Sequence, residues 1–341
     1  MLLVCGPCSA ESFNQLHSTA EGLKDLHVDY FRAGLWKPRT RPTQFEGVGE
    51  EGLAWMKAIK KDYNMKICTE VATPYMVEKC LEYNFDALWI GARTTQNPFL
   101  VEDIAIALQG SNTTIMVKNP LNPDVKLWLG SIERLEKHNI KHIIAVHRGF
   151  SLSYNKYRQS PLWRIPLEIK QLCNDIPLLC DPSHIAGDKQ YVKEIANNAI
   201  STGFDGLMIE THYKPNEALT DAKQQLSIEE LKDLIFNLPK VGNTDNNITE
   251  LQSLRTQIND IDDTIIEALS ERMQLSRKIA AIKKDNNITV FQRERWLQVL
   301  DKIQKNAKEN NLDVAFTKEI YELIHQESIK QQNLIINKSD S

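Results

Sequence analysis

Several short apolar segments in the first two thirds of the sequence are followed by basic side chains. These side chains are Arg32, Lys37, Arg39, Arg93, Lys118 and Arg148. Guanidinium and ammonium groups bind phosphate and carboxylate oxygens, and so many cations at one place would repel each other without an anion. The set therefore predicts a site for more than one anionic group, on two phosphorylated substrates or on one that carries phosphate and carboxylate.

A second set of side chains after the same segments has the donor atoms of a metal site. Its members are Cys8, His184, Glu210 and Asp221. A thiolate, an imidazole and two carboxylates could bind a divalent transition metal, whose identity this mixed set of ligands leaves open. The four residues are too far apart in the sequence to form a local metal signature, so ordinary polar residues at the rim of the fold are the alternative.

The elements that would position these side chains recur regularly. Eight apolar segments start 21 to 37 residues apart, at residues 2–5, 29–33, 66–69, 87–90, 114–117, 142–146, 177–180 and 206–209. Helix-compatible stretches lie between most of them, such as 52–63, 74–83, 125–139 and 191–201. Apolar strands that alternate with helices predict an α/β fold of the (β/α)8 TIM-barrel type. An open doubly wound sheet is the alternative, but no G-x-G-x-x-G follows any strand.

In such a barrel the residues after the carboxyl ends of the strands line the active site. Each of the eight predicted strands is followed by a charged or metal-capable residue. Besides the residues of the two sets above, these include Glu70 and Asp181. One such residue alone is usually an ordinary rim residue. A complete ring of them indicates a catalytic site.

The last part of the chain has a different composition. All 13 prolines lie at or before Pro239, and the last 100 residues contain a single glycine, Gly242. We therefore expect a barrel domain at 1–240, a linker at 241–248 and a helical domain at 249–341. Apolar residues spaced by threes and fours predict helices at 249–285, 291–310 and 314–333.

The first of these helices predicts self-association. It would be ~55 Å long, which is longer than a domain of its size is wide. Two shorter helices cannot cover the apolar stripe of such a helix. The expected arrangement is thus a small three-helix domain that pairs in a homodimer, with a larger assembly also possible.

Composition excludes several classes of protein. The chain has 341 residues, a formal net charge of −4 and an isoelectric point of about 6.1, which argues against a nucleic-acid or membrane partner. It has no apolar run long enough to span a bilayer, and its N-terminus lacks the basic region of a signal peptide. The expectation is a cytoplasmic enzyme.

Motifs in the first 240 residues make the interpretation specific. They are GPCSAES (6–12), KPRT (37–40), IGARTTQ (90–96), VKNP (117–120), AVHRGFS (145–151), DPSHIAGDK (181–189) and IETHYKPNEALTDAKQQLS (209–227). This part of the chain resembles the 3-deoxy-D-arabino-heptulosonate 7-phosphate (DAHP) synthases, in the shorter form that lacks an N-terminal extension. The resemblance implies condensation of phosphoenolpyruvate with erythrose 4-phosphate, the first step of the shikimate pathway.

The resemblance also implies roles for the residues named above. Cys8, His184, Glu210 and Asp221 match the ligands of one divalent metal ion, with Mn²⁺ expected and Fe²⁺, Co²⁺, Zn²⁺ or Cd²⁺ as alternatives. Arg93, Lys118 and Arg148 match the phosphate site for phosphoenolpyruvate, and Arg32 and Lys37 match residues near its carboxylate and reacting carbons. Arg39 and Thr40 match the contacts of erythrose 4-phosphate. In the implied aldol-like addition, Lys37 is the candidate proton donor.

The tail resembles a second family, the all-helical chorismate mutases. The matching segments are 254–284, 290–296 and 325–332. The residues that match the family's chorismate site by position are Arg255, Arg272, Lys283, Arg295, Ser328 and Gln332. Arg272 and Lys283 share a helix face about 16 Å apart, whereas Arg255 lies about 25 Å from Arg272 along the helix. In that family the matching arginine reaches the site from the partner subunit, which agrees with the dimer expected from helix length.

Two departures leave an alternative open. Gln292 and Trp296 stand where the family has an acidic pair, and Trp296 replaces the carboxylate that would meet the substrate hydroxyl. The tail could therefore be a dimerising and feedback-regulatory module with weak or no catalysis, and its product prephenate, or an aromatic acid derived from it, could regulate the barrel. For the barrel, the alternative is a related synthase acting on another sugar phosphate.

Overall fold

Two compact units divide the chain, Met1–Val241 and Gly242–Ser341. The computed structural model describes residues 1–37, 45–152, 156–239 and 248–337, and for 248–257 and 260 it describes the backbone without the side chains. The expected linker, 241–248, lies outside the described residues except for the backbone of its last residue.

The first unit contains eight parallel strands that close into a barrel in the order β1 to β8. The strands are β1 Leu2–Gly6, β2 Tyr30–Arg32, β3 Ile67–Val71, β4 Ala87–Ile90, β5 Thr114–Lys118, β6 Ile143–His147, β7 Leu178–Cys180 and β8 Gly206–Glu210. Closure comes from β1 and β8, whose register pairs Leu2 with Gly206 and Gly6 with Glu210. The predicted (β/α)8 barrel is confirmed.

The strands are apolar on both faces because each face is buried. Val4, Cys68, Trp89, Met116 and Met208 belong to a buried cluster made of strand residues, which fills the barrel interior. The alternate strand positions belong to a larger buried cluster shared with the surrounding helices. Trp89 is the largest interior side chain, and it forms the floor beneath the site described below.

Ten helices in the described part of this unit surround the strands or follow their ends. They are α1 Phe13–Leu23, α2 Glu51–Tyr63, α3 Pro74–Glu82, α4 Ala92–Thr95, α5 Pro98–Ala107, α6 Val125–Lys137, α7 Arg164–Leu172, α8 Pro182–Ala186, α9 Val192–Ser201 and α10 Ile228–Phe236. Side-chain caps start several of them. Thr73 accepts a hydrogen bond from the Met76 backbone, and Ser227 forms a capping box with Glu230.

The second unit contains three helices, α11 Ile248–Asp285, α12 Arg293–Glu309 and α13 Val314–Ile336. Asp313 caps α13 by accepting a hydrogen bond from the Phe316 backbone. Helix α12 begins two residues later than predicted, because Gln292 has extended backbone and is the N-cap. Helix α11 packs along α13. No helix in the described part of the chain is long and apolar enough to cross a membrane.

Candidate active sites

The carboxyl ends of β2 and β8 bring two buried opposite charges together. Arg32 Nη2 lies 2.9 Å from Glu210 Oε1, and both side chains are fully buried. The Arg32 guanidinium also lies over the Trp89 ring, 4.9 Å from its centroid. Nε and Nη1 of Arg32 have no hydrogen-bond partner among the described residues, so these donors are available to a bound anion.

Three of the predicted metal ligands lie together in the same place. Ligand atoms of Cys8, Glu210 and Asp221 are all within 4.8 Å of one another. The Cys8 thiol donates to Asp221 Oδ2 over 3.4 Å, and the Lys37 ammonium lies 3.1 Å from Cys8 Sγ. Burial is the main cause that raises the pKa of the Cys8 thiol to about 12, so the group stays protonated at neutral pH unless a bound cation displaces the proton.

The fourth predicted ligand, His184, is held by a residue that follows β7. Asp181 Oδ1 lies 3.0 Å from His184 Nδ1 and accepts a hydrogen bond from the His184 backbone. The other ring nitrogen, Nε2, lies 3.7 Å from Glu210 Oε1. A carboxylate on one imidazole nitrogen sets the tautomer that leaves the other nitrogen free to bind metal.

These four residues fit a divalent transition metal. Burial alone opposes the ionisation of Glu210, but the charges of His184 and Arg32 outweigh it and hold the pKa of this carboxyl below its ordinary value. Glu210 is therefore ionised at neutral pH, and Asp181 orients the imidazole of His184, which binds a metal ion once it has lost its proton. A thiolate, an imidazole and two carboxylates form the mixed donor set that such ions accept.

Several basic side chains lie beside this cluster. Arg148 is buried, and its Nη1 has no hydrogen-bond partner within the described ranges. Burial, and then the nearby charges of Arg158 and Arg93, lower the pKa of Arg148 to about 10. Lys118 is paired with a carboxylate, because its ammonium lies 2.7 Å from Asp181 Oδ2. A bound phosphate would relieve this repulsion.

Sequence reasoning missed several polar residues at this site. Arg158 Nη1 lies 3.2 Å from Asp221 Oδ1 and 2.9 Å from Gln224 Oε1. Gln224 donates to Glu210 Oε2 over 2.6 Å, and the Gln225 side chain accepts from the Cys8 backbone over 3.0 Å. The two glutamines belong to the motif at 209–227, which was the available signal. Arg158 lies in no quoted motif.

Three predicted site residues cannot be placed. Arg39 and Thr40, assigned to erythrose 4-phosphate, lie outside the described residues. The backbone at Arg255 belongs to α11, but its side chain is also outside the described part.

The helical unit has a pocket of its own, with a volume of about 460 Å³. The residues that line it are Arg272, Leu275, Ser276, Ile279, Lys283, Val290, Gln292, Arg295, Trp296, Val299, His325, Ser328 and Gln332. Five of the six residues predicted for chorismate are among them. Charge in this lining comes from three cations, Arg272, Lys283 and Arg295, so the pocket suits a small polyanion.

Hydrogen bonds between α11 and α13 hold the polar side chains of this pocket. Arg272 Nη1 donates to Ser328 Oγ over 2.5 Å. Gln332 Nε2 donates to Ser276 Oγ over 3.2 Å, while its Oε1 is buried without a partner in the described part of the chain. The Lys283 ammonium donates to the Val290 carbonyl over 2.6 Å, which directs it across the end of the pocket.

Aromatic rings form another wall of the pocket. Trp296 of α12 stacks on His325 of α13, with ring centroids 4.0 Å apart and planes 7° from parallel. Phe291 lies at the edge of this pair, 6.0 Å from the His325 centroid. His325 was not among the predicted site residues, although it lies in the matched segment 325–332.

Comparison with known families assigns both units. The sequence profile of the DAHP synthetase I family matches residues 1–243, and the profile of chorismate mutase type II matches residues 254–333. A phospho-2-dehydro-3-deoxyheptonate aldolase from Thermotoga maritima is 32% identical over 241 residues, covering 70% of this chain and 69% of that protein. A 2-dehydro-3-deoxyphosphooctonate aldolase from Helicobacter hepaticus is 26% identical over 275 residues, covering 71% and 97%.

Solved structures give the same result for the barrel. The crystal structure of the Thermotoga maritima DAHP synthase is similar with a TM-score of 0.62 and 30% identity, covering 69% of this chain and 67% of that one. A truncated form of DAHP synthase from the same organism gives a TM-score of 0.60 and 26% identity, covering 76% and 87%.

Proposed function

The chain belongs to the DAHP synthetase I family and carries a chorismate mutase type II domain, and from this premise we propose which residues perform the two reactions. The barrel condenses phosphoenolpyruvate with erythrose 4-phosphate to DAHP and phosphate. The helical domain converts chorismate to prephenate. Both sites bind small anionic substrates. We therefore place the enzyme in the cytoplasm, without a nucleic-acid or membrane partner.

In the barrel, basic side chains beside the metal-ligand cluster bind phosphoenolpyruvate. Arg93, Lys118 and Arg148 hold its phosphate, and Arg148 contributes a buried Nη1 donor without a partner in the described residues. Arg32 contributes two further donors of this kind to the carboxylate, Nε and Nη1. Arg39 and Thr40 are assigned to erythrose 4-phosphate by family resemblance. Fixed donors of this type stabilise charge that develops on phosphate and carboxylate during the reaction.

Cys8, His184, Glu210 and Asp221 would hold one divalent ion, which supplies Lewis-acid polarisation of an aldehyde oxygen. Mn²⁺ is the expected ion, with Fe²⁺, Co²⁺, Zn²⁺ or Cd²⁺ as alternatives. The observation that carries this assignment is the convergence of Cys8, Glu210 and Asp221 within 4.8 Å.

Lys37 is the candidate proton donor. Its ammonium lies 3.1 Å from both the carbonyl oxygen and the sulfur of Cys8. When C3 of phosphoenolpyruvate adds to the aldehyde carbon, the aldehyde oxygen becomes an alkoxide that takes a proton from Lys37. Water then adds at C2, and the resulting hemiketal loses inorganic phosphate into the cluster of basic residues.

Two assays of the intact chain test the synthase assignment. Phosphate release from phosphoenolpyruvate should require erythrose 4-phosphate, should stop with chelator and should return when Mn²⁺ is restored. A five-carbon aldose phosphate should be used at least ten times less well. Equal or better use of the five-carbon sugar would identify the barrel as a synthase for another sugar phosphate.

In the helical domain, the pocket cations fold a dicarboxylate for a Claisen rearrangement, which needs no nucleophile. Arg272 and Arg295 bind the two carboxylates, and Ser328 orients Arg272 through its hydroxyl. Lys283 and Gln332 bind the ether oxygen, where negative charge grows as the C–O bond breaks. Both residues line the pocket.

A second copy of this chain completes the helical domain. Ile258, Ile261, Ile265 and Ile266 lie along the first half of α11 with 50–64% of their surface exposed. A continuous apolar face of this kind is stable in water when a partner covers it. The dimer brings Arg255 of one protomer towards the pocket of the other, and larger assemblies are compatible with it.

Mixing inactive variants tests this shared site. Arg255→Ala and Lys283→Ala chains should each have low mutase activity. If Arg255 acts across the dimer, co-refolded equal amounts should regain about a quarter of wild-type activity, because half the dimers are mixed and each has one intact site. No recovery above the separate variants would place Arg255 in its own protomer's site or outside the reaction.

The alternative function for the tail is a dimerising and regulatory module. Trp296 favours it, because its indole lines the pocket at the position where the resemblance implies a carboxylate. Absence of chorismate consumption by the intact chain, together with a change in synthase rate on adding prephenate, would support this alternative. Chorismate turnover without any prephenate effect would contradict it.

A further inference from the structure

His325 is a polar group in the mutase pocket that the reaction described above does not use. It lies on α13 and lines the pocket beside the cations. Its Nε2 atom is buried without a hydrogen-bond partner in the part of the chain that the structure describes. A buried ring nitrogen without a partner is costly in free energy, and native proteins usually satisfy such a group with another residue or a bound molecule.

The position of His325 follows from its stack with Trp296. The two rings are nearly parallel and 4.0 Å apart, so they form a single wall of the pocket. By the family resemblance, Trp296 stands at the position of the carboxylate that meets the substrate hydroxyl. An indole N–H can donate a hydrogen bond but cannot accept one, so Trp296 does not replace that carboxylate. The imidazole of His325, which is stacked on Trp296, can accept a hydrogen bond in its place.

The charges around His325 keep its imidazole neutral. Burial lowers the pKa of His325, and the cations Arg272 and Lys283 of α11 lower it further. Arg295 of α12 adds a third positive charge to the same pocket. A neutral imidazole has one ring nitrogen that accepts a hydrogen bond, as a carboxylate oxygen would.

Gln292 is the competing acceptor in the pocket lining. It is exposed at the start of α12, where water can satisfy its amide. A substrate hydroxyl that binds Gln292 therefore exchanges one good partner for another, whereas a hydroxyl that binds His325 satisfies a buried acceptor.

We propose that Nε2 of His325 accepts a hydrogen bond from the ring hydroxyl of chorismate and takes the place of the carboxylate that Trp296 replaces. The inference deepens the mutase function proposed above and rests on it. It makes His325 a residue that touches the substrate and recognises its hydroxyl, while the rearrangement itself depends on the cations and on Gln332.

Chorismate and an analogue whose ring hydroxyl is replaced by hydrogen provide the test, using the intact chain. Wild type should prefer chorismate in kcat/KM by roughly 5–100-fold, as expected when a buried acceptor is left unpaired by the analogue. His325→Leu should lose most of this preference by becoming slower on chorismate alone. His325→Gln retains an acceptor and should keep a measurable part of it.

Gln292→Ala is the matched control and should keep the wild-type preference. Circular dichroism of each variant shows whether the helices are intact, and His325→Gln decides the question if His325→Leu does not fold. The proposal is overturned if the folded His325 variants keep the full preference, or if Gln292→Ala loses it instead. Failure of the wild-type chain to consume chorismate would contradict the mutase function itself, and this inference with it.

Discussion

The two sites of this chain are built in opposite ways. In the barrel, residues from β2, β5 and β8 and from the loops after β1 and β7 meet at one end, and opposite charges pair there at 2.7–2.9 Å with almost no exposure. In the helical domain, the charges lining the pocket are three cations, and the pocket walls come from three helices of which one exposes a long apolar face.

This difference has a physical cause. Eight strands that close on themselves force their carboxyl ends to one rim, so a barrel assembles a complete site from a single chain. Two shorter helices cannot bury the apolar stripe of a 38-residue helix, so we propose that the second site depends on another copy. We therefore expect the synthase site to resist changes in assembly and the mutase site to respond to them.

Loss of the metal should produce the largest difference between the activities of the two sites. Cys8→Ser, assayed after thorough chelation and return of limiting Mn²⁺, should lower synthase activity by about 10³-fold or more, because Lewis-acid assistance is lost. Chorismate turnover by the same preparation should stay within twofold of wild type. Metal content and both rates are measured together, and unchanged synthase activity in a metal-free preparation would remove the metal from the reaction.

Loss of a pocket cation should have the reverse selectivity. Lys283→Ala should lower mutase kcat by about 10²–10³-fold, the usual effect of removing a donor to developing charge. Synthase activity should be retained. Lys278→Ala, an exposed cation one to two turns away on the same helix, is the control and should change neither rate. Similar losses in both lysine variants would point to a general effect of charge on α11.

Disruption of the apolar face should affect the sites unequally. Ile261→Glu combined with Ile265→Glu places charges on the surface assigned to the dimer, so mutase activity should fall at least tenfold and decline further on dilution. Synthase activity per chain should change less than twofold. Analytical ultracentrifugation measures the oligomeric state of each variant. Gln304→Glu, at an exposed position on α12, is the control. A variant that stays dimeric and active would assign the interface elsewhere.

A buried histidine should give the barrel a specific dependence on acid. His147 is fully buried among Trp128, Phe150, Trp163 and Phe204, and burial lowers its pKa to about 3. Between pH 6.5 and 3 the unfolded chain takes up a proton at this residue that the folded chain does not. The free energy of unfolding should thus fall by about 1.4 kcal/mol per pH unit from this group as pH decreases.

His147→Leu checks this slope. Urea unfolding followed at several pH values should show a weaker decline for the variant than for wild type, even if the variant is less stable at pH 7. Parallel curves for the two proteins would mean that His147 is protonated in the folded barrel. His325, which is only partly buried, should contribute a smaller slope to the helical domain.

Local patterns in the sequence were enough to predict the strands of the barrel. Predicted strands at 87–90 and 206–209 agree with Ala87–Ile90 and Gly206–Glu210 within one residue, because a strand buried on both faces is a continuous apolar run. The helix starting at Val314 was predicted for a similar reason, since Asp313 is a good N-cap. The start of α12 was predicted two residues early, because it depends on the backbone conformation of Gln292.

The sequence by itself determined which side chains follow the strands, and so which residues could meet at the rim. Tertiary structure alone decided that Arg158 reaches Asp221 and that His325 stacks on Trp296. The physical reason is how far apart the interacting residues lie along the chain. Strand and cap preferences depend on neighbours in the chain, whereas these contacts join residues up to 63 positions apart, and side-chain packing of the folded chain selects them.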